Sequence, residues 1–347
     1  MRILNPLIAV LALVLVALVA AQMSGGQALV GIILPYLAIA LFLGGFVYRV
    51  LHWAKSPVPF RIPTTCGQAN SLPWIKQNKT DCPSTKLGVI ARMLLEVFLF
   101  RSLFRNTKAE MHEGPKLVYG SSKFLWLFAL LFHYTFLVIV LRHLRLFMDP
   151  VPGFVAALEF GDGFMQIGAP VFYQTDAIFL LAIAFLFLRR VAVANLRYIS
   201  LPADYFPLLL IFGIALTGIL MRYVFRADVV AIKQLTHGLM TFTPTIAAGQ
   251  IGSIFFIHIF LVCALLVYIP FSKLMHMAGV FMSPTRNMIN NSRMVRHINP
   301  WNDPKIKPHS YASYEDEFRE YMVGADIPVD KELPAQPAEE EAAKAAE

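Results

Sequence analysis

Long apolar stretches separated by polar segments dominate the pattern of the chain. They cover about residues 6–22, 28–51, 121–147, 171–199, 203–226 and 246–277. Each stretch is long enough to cross about 30 Å of hydrocarbon as a helix. A helix is the expected form because lipid offers the backbone polar groups no partner outside their own helix. The pattern therefore predicts an all-α integral membrane protein with six transmembrane helices.

The ends of the chain differ from its centre. The first apolar stretch follows Arg2 and precedes small residues, so it is either an N-terminal transmembrane helix within residues 1–27 or a secretory signal. Residues 28–282 form the predicted membrane domain, and residues 283–347 form a polar tail. The tail ends in the acidic, low-complexity stretch PAQPAEEEAAKAAE, for which we expect disorder after about residue 330.

The distribution of positive charge predicts which helix ends face the cytoplasm. The loop at 52–120 is rich in Lys and Arg, as are the link around Arg189 and Arg190 and the tail after residue 282. The connection at 148–170 contains Asp and Glu but neither Lys nor Arg. Because Lys and Arg accumulate in cytoplasmic loops, we expect the loop 52–120 and the C-terminus on the cytoplasmic side.

The loop 52–120 is too long for a simple connector. It begins with a Pro-rich stretch and continues into the amphipathic run LGVIARMLLEVFLFRSLFRN, at about 86–105. The basic residues and the Phe-rich face of this run are typical of a helix that lies on the membrane surface. A soluble helix packed on a partner protein fits the same pattern.

Composition supports the membrane assignment and excludes several other classes. Of the 347 residues, 57% are hydrophobic and 15% charged, whereas a soluble domain carries about a quarter charged residues. The formal net charge of +8 does not indicate nucleic-acid binding, because the Lys and Arg residues lie between apolar stretches rather than on one basic face. The three Cys residues form no CxxC motif, which argues against a disulfide scaffold or a Cys-bound iron–sulfur cluster.

Four of the nine His residues lie within the predicted helices. His133 and His143 are on the third helix, and His258 and His276 are on the sixth. One such His can be a structural residue hydrogen-bonded to a neighbouring helix, but an ionisable group in lipid is costly and often marks a functional site. Because the third and sixth helices are expected to run antiparallel, His133 should lie level with His276, and His143 level with His258.

The spacing of these residues predicts two stacked sites. His258 and His276 are 18 residues apart, or five turns, so we expect them on one helical face and about 27 Å apart along the axis. His133 and His143 are 10 residues apart, which places them about 15 Å apart with an angular drift of about 80°. We call His133 and His276 the inner pair, and His143 and His258 the outer pair.

Two imidazoles at one level suit haem iron better than zinc. Zinc prefers four ligands, and no Cys or acidic residue is spaced to complete such a set. Haem iron needs only two axial ligands, so the pattern predicts two bis-His b-type haems within the helix bundle. Haem propionates pair with cations. The candidate partners are Arg142 and Arg145 beside the outer pair and Lys273 beside the inner pair.

The two His spacings resemble those of the nitrate reductase gamma-subunit family of dihaem cytochromes b, over about residues 28–282. Three motifs are similar to the membrane cytochrome b of complexes associated with dissimilatory sulfite reduction: CGQANSLPWI (66–75), RMLLEVFLFRSLFRN (92–106) and RHINPWNDP (296–304). The resemblance implies a five-helix haem-binding core with an additional N-terminal helix. It also implies a location in the inner (cytoplasmic) membrane of a prokaryote.

The resemblance further implies a role in electron transport. The chain would exchange electrons with the menaquinone pool and with a cytoplasmic iron–sulfur subunit similar to heterodisulfide reductase, in a complex with other membrane and periplasmic subunits. Its enzymatic part would be quinol oxidation alone. Members of the family bind quinol beside the outer haem, which implies a site near His143 formed by Tyr173, Gln174, Asp176 and Lys233. The same polar residues also suit helix ends anchored at the membrane interface.

Two other interpretations are compatible with the sequence. The first keeps the cytochrome but changes its partner, as in a gamma subunit of nitrate reductase or another heterodisulfide-reductase-linked complex. The second is a proton-coupled transporter that uses the His residues as a relay. Such a transporter would be favoured by an internal repeat, and none is evident in the sequence.

Overall fold

The computed structural model describes residues 2–56, 58, 61–62, 67–114, 116–165, 168–247, 249–295, 307 and 309–331. The chain divides into two units, Met1–Arg296 and His297–Glu347. The first unit holds all the long apolar stretches. The second unit holds a helix of the polar tail.

Helices form most of the first unit within the described residues. In chain order they are α1 Leu4–Gln22, α2 Gly26–Ala54, α3 Lys86–Leu99, α4 Arg101–Phe104, α5 Lys123–Phe147, α6 Gly153–Asp162, α7 Gln174–Ala192, α8 Ala194–Ile199, α9 Pro202–Val224, α10 Val229–Met240, α11 Ser253–Tyr268 and α12 His276–Gly279. Two of them, α2 and α9, each include a π-helical turn, at Leu29–Ile33 and Leu220–Val224. The fold is mostly helical, as the sequence predicts.

Five helices of the described residues are long and apolar enough to cross a membrane: α1, α2, α5, α9, and α11 with the turn that extends it to Phe271. The remaining predicted stretch forms α7, whose ends carry Asp176, Arg189 and Arg190. This helix packs against α5 and α9. Phe128 of α5 stacks on Phe185 of α7, with their ring centres 3.8 Å apart. A membrane crossing by α7, and therefore the count of six, stays a prediction.

Contacts between helix ends define the relative directions of the helices. Arg2, just before α1, donates to the carbonyl of Ser200, just before α9, at 3.5 Å. At the other end of α1, Gln22 Nε2 donates to Ser253 Oγ at the start of α11, at 2.8 Å. Thus α9 runs parallel to α1, whereas α11 runs antiparallel to it. Which end faces the cytoplasm stays a prediction.

The sixth predicted helix is shorter than the sequence suggests. The α-helical part ends at Tyr268, and two 3₁₀ turns, Ile269–Phe271 and Lys273–Met275, lead to α12. Pro270 accounts for the break because it has no N–H to donate to the preceding turn. The prediction that His258 and His276 share one face of a continuous helix is therefore wrong, and the axial separation derived from it does not apply.

The segment between α2 and α5 contains a hairpin that the sequence analysis does not predict. Strands β1 Thr107–His112 and β2 Lys116–Ser121 pair antiparallel, with Met111 opposite Leu117 and Ala109 opposite Tyr119. Cross-strand partners share a face of a sheet. One face of the hairpin is therefore apolar, and the structure leaves Met111, Leu117 and Tyr119 exposed.

The amphipathic run forms α3 and α4, separated by Phe100 in a left-handed conformation with φ of 49°. The Thr85 side chain caps α3 by accepting a hydrogen bond from Gly88 N at 3.1 Å. Two side chains of α5 cap its other end: Trp126 Nε1 donates to Leu99 O at 2.8 Å, and Tyr134 Oη donates to Phe98 O at 2.9 Å. The run is therefore fixed to α5, while Leu87, Ile90 and Leu94 on its other side are exposed.

An ion cluster holds the loop before α3 in place. The Asp81 carboxylate is buried and contacts the guanidinium groups of Arg92 at 2.8 Å, Arg101 at 3.2 Å and Arg105. Arg61 Nη2 donates to the backbone oxygen of Asp81 at 2.7 Å. One buried carboxylate thereby joins the loop to α3, α4 and the start of the hairpin.

The second unit contains α13, Tyr311–Gly324, capped by the Ser310 side chain. The buried Glu315 carboxylate accepts hydrogen bonds from Asp330 N at 2.8 Å and Lys331 N at 2.9 Å. The Asp330 amide, the Lys331 amide and the Arg319 guanidinium hold the pKa of Glu315 below its usual range. The tail motif at 296–304 and the acidic stretch expected to be disordered, at 332–347, lie outside the described residues.

Candidate haem and quinol sites

The inner pair joins α5 to the start of α12. The ring centres of His133 and His276 are 6.0 Å apart, and their ring planes are 88° apart. His133 Nδ1 lies 2.7 Å from Ala129 O, one turn earlier on α5. His276 Nδ1 lies 3.1 Å from Lys273 O. The two 3₁₀ turns after Tyr268 thus bring His276 to the level of His133 although α11 has already ended.

The outer pair joins α5 to α11. The ring centres of His143 and His258 are 6.5 Å apart, and their ring planes differ by only 7°. His143 Nδ1 lies 2.7 Å from Ile139 O. His258 Nδ1 lies 2.9 Å from the hydroxyl oxygen of Thr217, on α9. The two pairs therefore differ in the relative orientation of their imidazole planes.

All four imidazoles have the same tautomer. A carbonyl oxygen only accepts, so Nδ1 of His133, His143 and His276 must be the donor. Thr217 directs its own hydroxyl hydrogen to backbone oxygens of α9, so it too accepts at its contact with His258. In the neutral form of each ring Nε2 is then the nitrogen without a hydrogen, which is the atom that a metal would take.

The distances within the pairs fit a metal between two trans imidazoles. A first-row metal lies about 2 Å from an imidazole nitrogen, so trans nitrogens are about 4 Å apart and the ring centres, each about 1 Å farther out, are about 6 Å apart. The observed separations are 6.0 Å and 6.5 Å. No group of three or more His, Cys, Asp or Glu suited to a metal ion occurs among the described residues. The donor set therefore fits haem iron, which takes two axial ligands, and not zinc.

Aromatic side chains lie against the inner pair. Phe100, between α3 and α4, meets His133 edge to face with ring centres 5.0 Å apart. Phe132 meets the same imidazole from α5 at 5.1 Å. Phe100 has a left-handed conformation, and its side chain brings the junction of α3 and α4 to this site. Sequence analysis does not assign Phe100 a role, because the amphipathic run shows no break between α3 and α4 in its sequence.

Each cation that the sequence suggests for the propionates has a carboxylate partner within the chain. Arg142 is buried and contacts Asp162 at 3.1 Å and Asp176 at 2.8 Å. Arg145 contacts Glu159 at 2.7 Å, and Lys273 contacts Asp204 at 2.6 Å. Arg145 and Lys273 are also exposed enough to meet a second anion. Their pairing with propionates stays a prediction.

A polar network lies beside the outer pair, where Arg142, next to His143 on α5, meets the start of α7 and the end of α9. The Tyr173 ring lies between two guanidinium groups, with Arg142 Cζ 3.8 Å and Arg222 Cζ 4.0 Å from its centre. Tyr223 Oη donates to Asp176 Oδ2 at 2.8 Å and accepts from Tyr173 N at 3.0 Å. The network therefore holds the first turn of α7 against α5 and α9.

The other two residues of the predicted quinol site have different positions. Gln174 Nε2 donates to Asp162 O at 3.4 Å, so Gln174 belongs to the network. Lys233 of α10 instead pairs with Asp149 at 3.6 Å. The structure thus brings Tyr173, Gln174 and Asp176 together, whereas Lys233 forms an ion pair with a carboxylate outside this group.

A cleft of about 610 Å³ opens next to this network. It is lined by Arg145, Ala156, Glu159, Phe160, Gly163, Phe164, Val171, Tyr173 and Arg222. Apolar and aromatic side chains with a few convergent polar groups are typical of a small-molecule site. Sequence analysis misses Asp162, Arg222 and Tyr223, because they lie at helix ends, where polar residues are also expected for reasons of topology.

Known proteins give an independent comparison. The family model "Nitrate reductase gamma subunit" matches residues 93–297, a range that contains all four His of the two pairs. A protein of Archaeoglobus fulgidus is 44% identical over 284 residues, which cover 80% of this chain and 84% of the relative. One of Archaeoglobus profundus is 46% identical over 277 residues, covering 78% and 82%. Both relatives are named "Hdr-like menaquinol oxidoreductase cytochrome b-like subunit".

Proposed function

The chain belongs to the nitrate reductase gamma-subunit family, and we propose that it is the dihaem cytochrome b subunit of a membrane menaquinol oxidoreductase. In this proposal His133 and His276 hold one haem b, and His143 and His258 hold the other. The observation that carries the proposal is the geometry of the two pairs, whose ring centres are 6.0 Å and 6.5 Å apart, with Nδ1 of all four rings in contact with an oxygen of the chain.

The residues of each pair define what the site can do. Haem iron supplies a one-electron couple, and imidazoles in both axial positions favour electron transfer over oxygen chemistry. The acceptors at Nδ1 orient the rings and increase the donor strength of Nε2. Phe100 and Phe132 pack against the His133 ring of the inner pair. The role of the protein is therefore to hold, orient and tune two redox centres.

We place menaquinol in the cleft beside the outer pair. Tyr173 and Arg222 line that cleft together with Glu159, and Asp176 lies directly behind Tyr173 in the network. Oxidation of a quinol releases two protons, so the site needs bases. Glu159, which lines the cleft, would accept one proton, and Asp176, in the network behind Tyr173, would accept the other. The two electrons would pass one at a time to the outer haem, and Arg222 would donate a hydrogen bond to a quinone oxygen. Lys233 does not line this cleft and pairs with Asp149, so we leave it out of the proposed site, and its role stays a prediction.

The partner follows from the resemblance and from the names of the relatives. Both relatives are described as subunits of an Hdr-like oxidoreductase, which supports a cytoplasmic iron–sulfur subunit similar to heterodisulfide reductase. The complex would contain further membrane and periplasmic subunits and act in dissimilatory sulfur metabolism. We place it in the inner membrane of a prokaryote with a cytoplasmic C-terminus and six crossings, in agreement with the positive charge of the loop at 52–120.

A second candidate keeps the same cofactors. The family match over residues 93–297 also fits a gamma subunit of nitrate reductase, in which the cytoplasmic partner would be a different iron–sulfur subunit. Purification of the intact complex, with identification of the iron–sulfur subunit that remains bound, distinguishes the two.

The proposal is tested by a reduced-minus-oxidised optical spectrum with haem and protein quantitation. The protein is purified after expression with an adequate haem supply. We expect two b-type haems per chain, low-spin in both redox states, and reduction of both by a menaquinol analogue. A colourless protein would refute the proposal. One haem per chain would refute the assignment of two sites.

A further inference from the structure

The outer pair contains one hydrogen bond that has no counterpart in the inner pair. Nδ1 of His133, His143 and His276 donates to a backbone oxygen of its own segment. Nδ1 of His258 instead faces a different helix, α9, where it lies 2.9 Å from the Thr217 hydroxyl, and the backbone oxygen of Ile214 on that helix also hydrogen-bonds this ring. A side-chain acceptor can be removed by substitution without breaking a helix, whereas a backbone acceptor cannot.

Thr217 is held in position to accept this hydrogen bond. Its Oγ1 lies 2.9 Å from both Gly213 O and Ile214 O, so the hydroxyl hydrogen is used within α9 and the lone pairs face His258. The next residue, Gly218, lies against the same ring and leaves room for a Cβ in ordinary van der Waals contact. A Cβ at this position would lie 3.4 Å from His258 Cε1. One turn of α9 is therefore fitted to the His258 ring.

We propose that Thr217 is a positioning residue that fixes the ring orientation of His258 and lowers the reduction potential of the outer haem. The inference rests on the proposed function, since it concerns a ligand of the outer haem. An acceptor at Nδ1 increases electron donation from Nε2, and stronger donation stabilises the ferric state. The same hydrogen bond keeps the ring plane of His258 within 7° of that of His143.

A matched pair of substitutions separates this role from packing. Thr217→Val retains the side-chain volume and removes the acceptor, and Thr217→Ser retains the acceptor. The control is Thr135→Val on α5. The Thr135 side chain is buried, and it donates to Leu131 O at 2.7 Å within its own helix. Thr135→Val therefore removes a buried membrane hydroxyl that is not bonded to any of the four His.

The measurement is a potentiometric titration of the purified protein in detergent, with haem content determined for every variant. Loss of a ligand's partner typically changes metal-site properties about 10-fold. We expect Thr217→Val to shift the ferric-to-ferrous equilibrium of one haem about 10-fold toward the ferrous state, or about 59 mV upward for one electron. Thr217→Ser should restore most of the shift, and Thr135→Val should leave both potentials unchanged.

The outcomes separate the inference from the proposed function. Unchanged potentials in Thr217→Val, with both haems bound, would overturn the inference and leave the two haem sites intact. An equal shift of both haems, or the same shift in Thr135→Val, would also overturn it. Selective loss of one haem in Thr217→Val, with retention in Thr217→Ser, would support it. If Thr217→Val does not fold, Thr217→Ala removes the same acceptor. Absence of haem from the wild type would refute the proposed function itself.

Discussion

The pairing of the four His residues can be tested by counting haems in a set of Ala variants. In the structure each imidazole lies next to one other imidazole, on a different helix. Their ring centres are 6.0 Å apart in the inner pair and 6.5 Å apart in the outer pair. Removal of either ring leaves its haem with one axial ligand. We therefore expect every single variant to lose half of the haem, from two to one per chain.

The haem content of two double variants distinguishes between the possible pairings. His143→Ala with His258→Ala removes both ligands of one site, so one haem per chain should remain. His143→Ala with His276→Ala removes one ligand from each site, so none should remain. The assay is the pyridine haemochrome of purified protein, normalised to protein content. The two double variants contain the same number of substitutions, so each serves as the control for the other.

The orientation of the ring planes identifies which haem is lost. Two parallel imidazoles would raise the energy of the same iron d orbital of π symmetry, so the energies of the two such orbitals would differ. Two perpendicular imidazoles would raise the energy of one orbital each, so the two energies would stay nearly equal. The outer pair, with planes 7° apart, should therefore give an ordinary rhombic low-spin signal in electron paramagnetic resonance. The inner pair, at 88°, should give a strongly anisotropic signal. His258→Ala should abolish only the first signal, and His276→Ala only the second.

One result would refute this reasoning. If His143→Ala with His276→Ala retained one haem while His143→Ala with His258→Ala retained none, the ligands would be paired across the two levels. The antiparallel arrangement of α5 and α11 would then be wrong as well.

Three further predictions concern other parts of the chain. Asp176→Asn should slow menaquinol oxidation by at least about 10-fold, as expected for loss of a general base, whereas Lys233→Gln should not; equal rates of quinol-dependent haem reduction in the two variants would contradict the quinol site. Asp81→Asn should destabilise the protein by about 3 kcal/mol, the low end for a broken buried ion pair, because Arg101 and Arg105 still reach solvent; denaturation midpoints that match the wild type would exclude this. In the tail, Glu315 has a lowered pKa, so its contribution to stability is present above the unfolded pKa and is lost as the pH falls through the folded pKa. Hydrogen exchange of the Asp330 and Lys331 amides should therefore accelerate on acidification, and Glu315→Gln should remove that pH dependence.

The apolar stretches were predictable from sequence because lipid imposes a simple requirement on length and hydropathy. The helices Leu4–Gln22, Lys123–Phe147 and Pro202–Val224 begin and end within a few residues of the predicted bounds. The stretch that became Gln174–Ala192 is less clear, since the charges at its ends are also those of a helix packed inside a protein. A charged residue at a helix end does not by itself distinguish a helix that crosses the membrane from one that packs inside the protein.

The His pairs were predictable only in part. The expected levels depend on helix direction alone, but the expected face depends on an unbroken helix up to His276. Pro270 was the available signal against that assumption, because a proline interrupts the hydrogen bonds of a helix. The chain reaches the inner site through the two 3₁₀ turns that follow Tyr268, and no periodicity in the sequence reveals this path.

Contacts made across the chain escaped sequence analysis. Thr217 meets His258 from another helix, and Asp162 meets Arg142 from the end of α6. Neither pair has a spacing that would indicate contact. The hairpin Thr107–Ser121 did carry a signal, in the alternation of its residues around the turn at Gly114. The basic character of the whole loop concealed it.

A density map of the purified complex tests the central claim most directly. The account predicts one flat macrocycle between His133 and His276 and a second between His143 and His258, each with iron bound by two Nε2 atoms. Imidazoles that face each other across either gap with only water or side chains between them would contradict it.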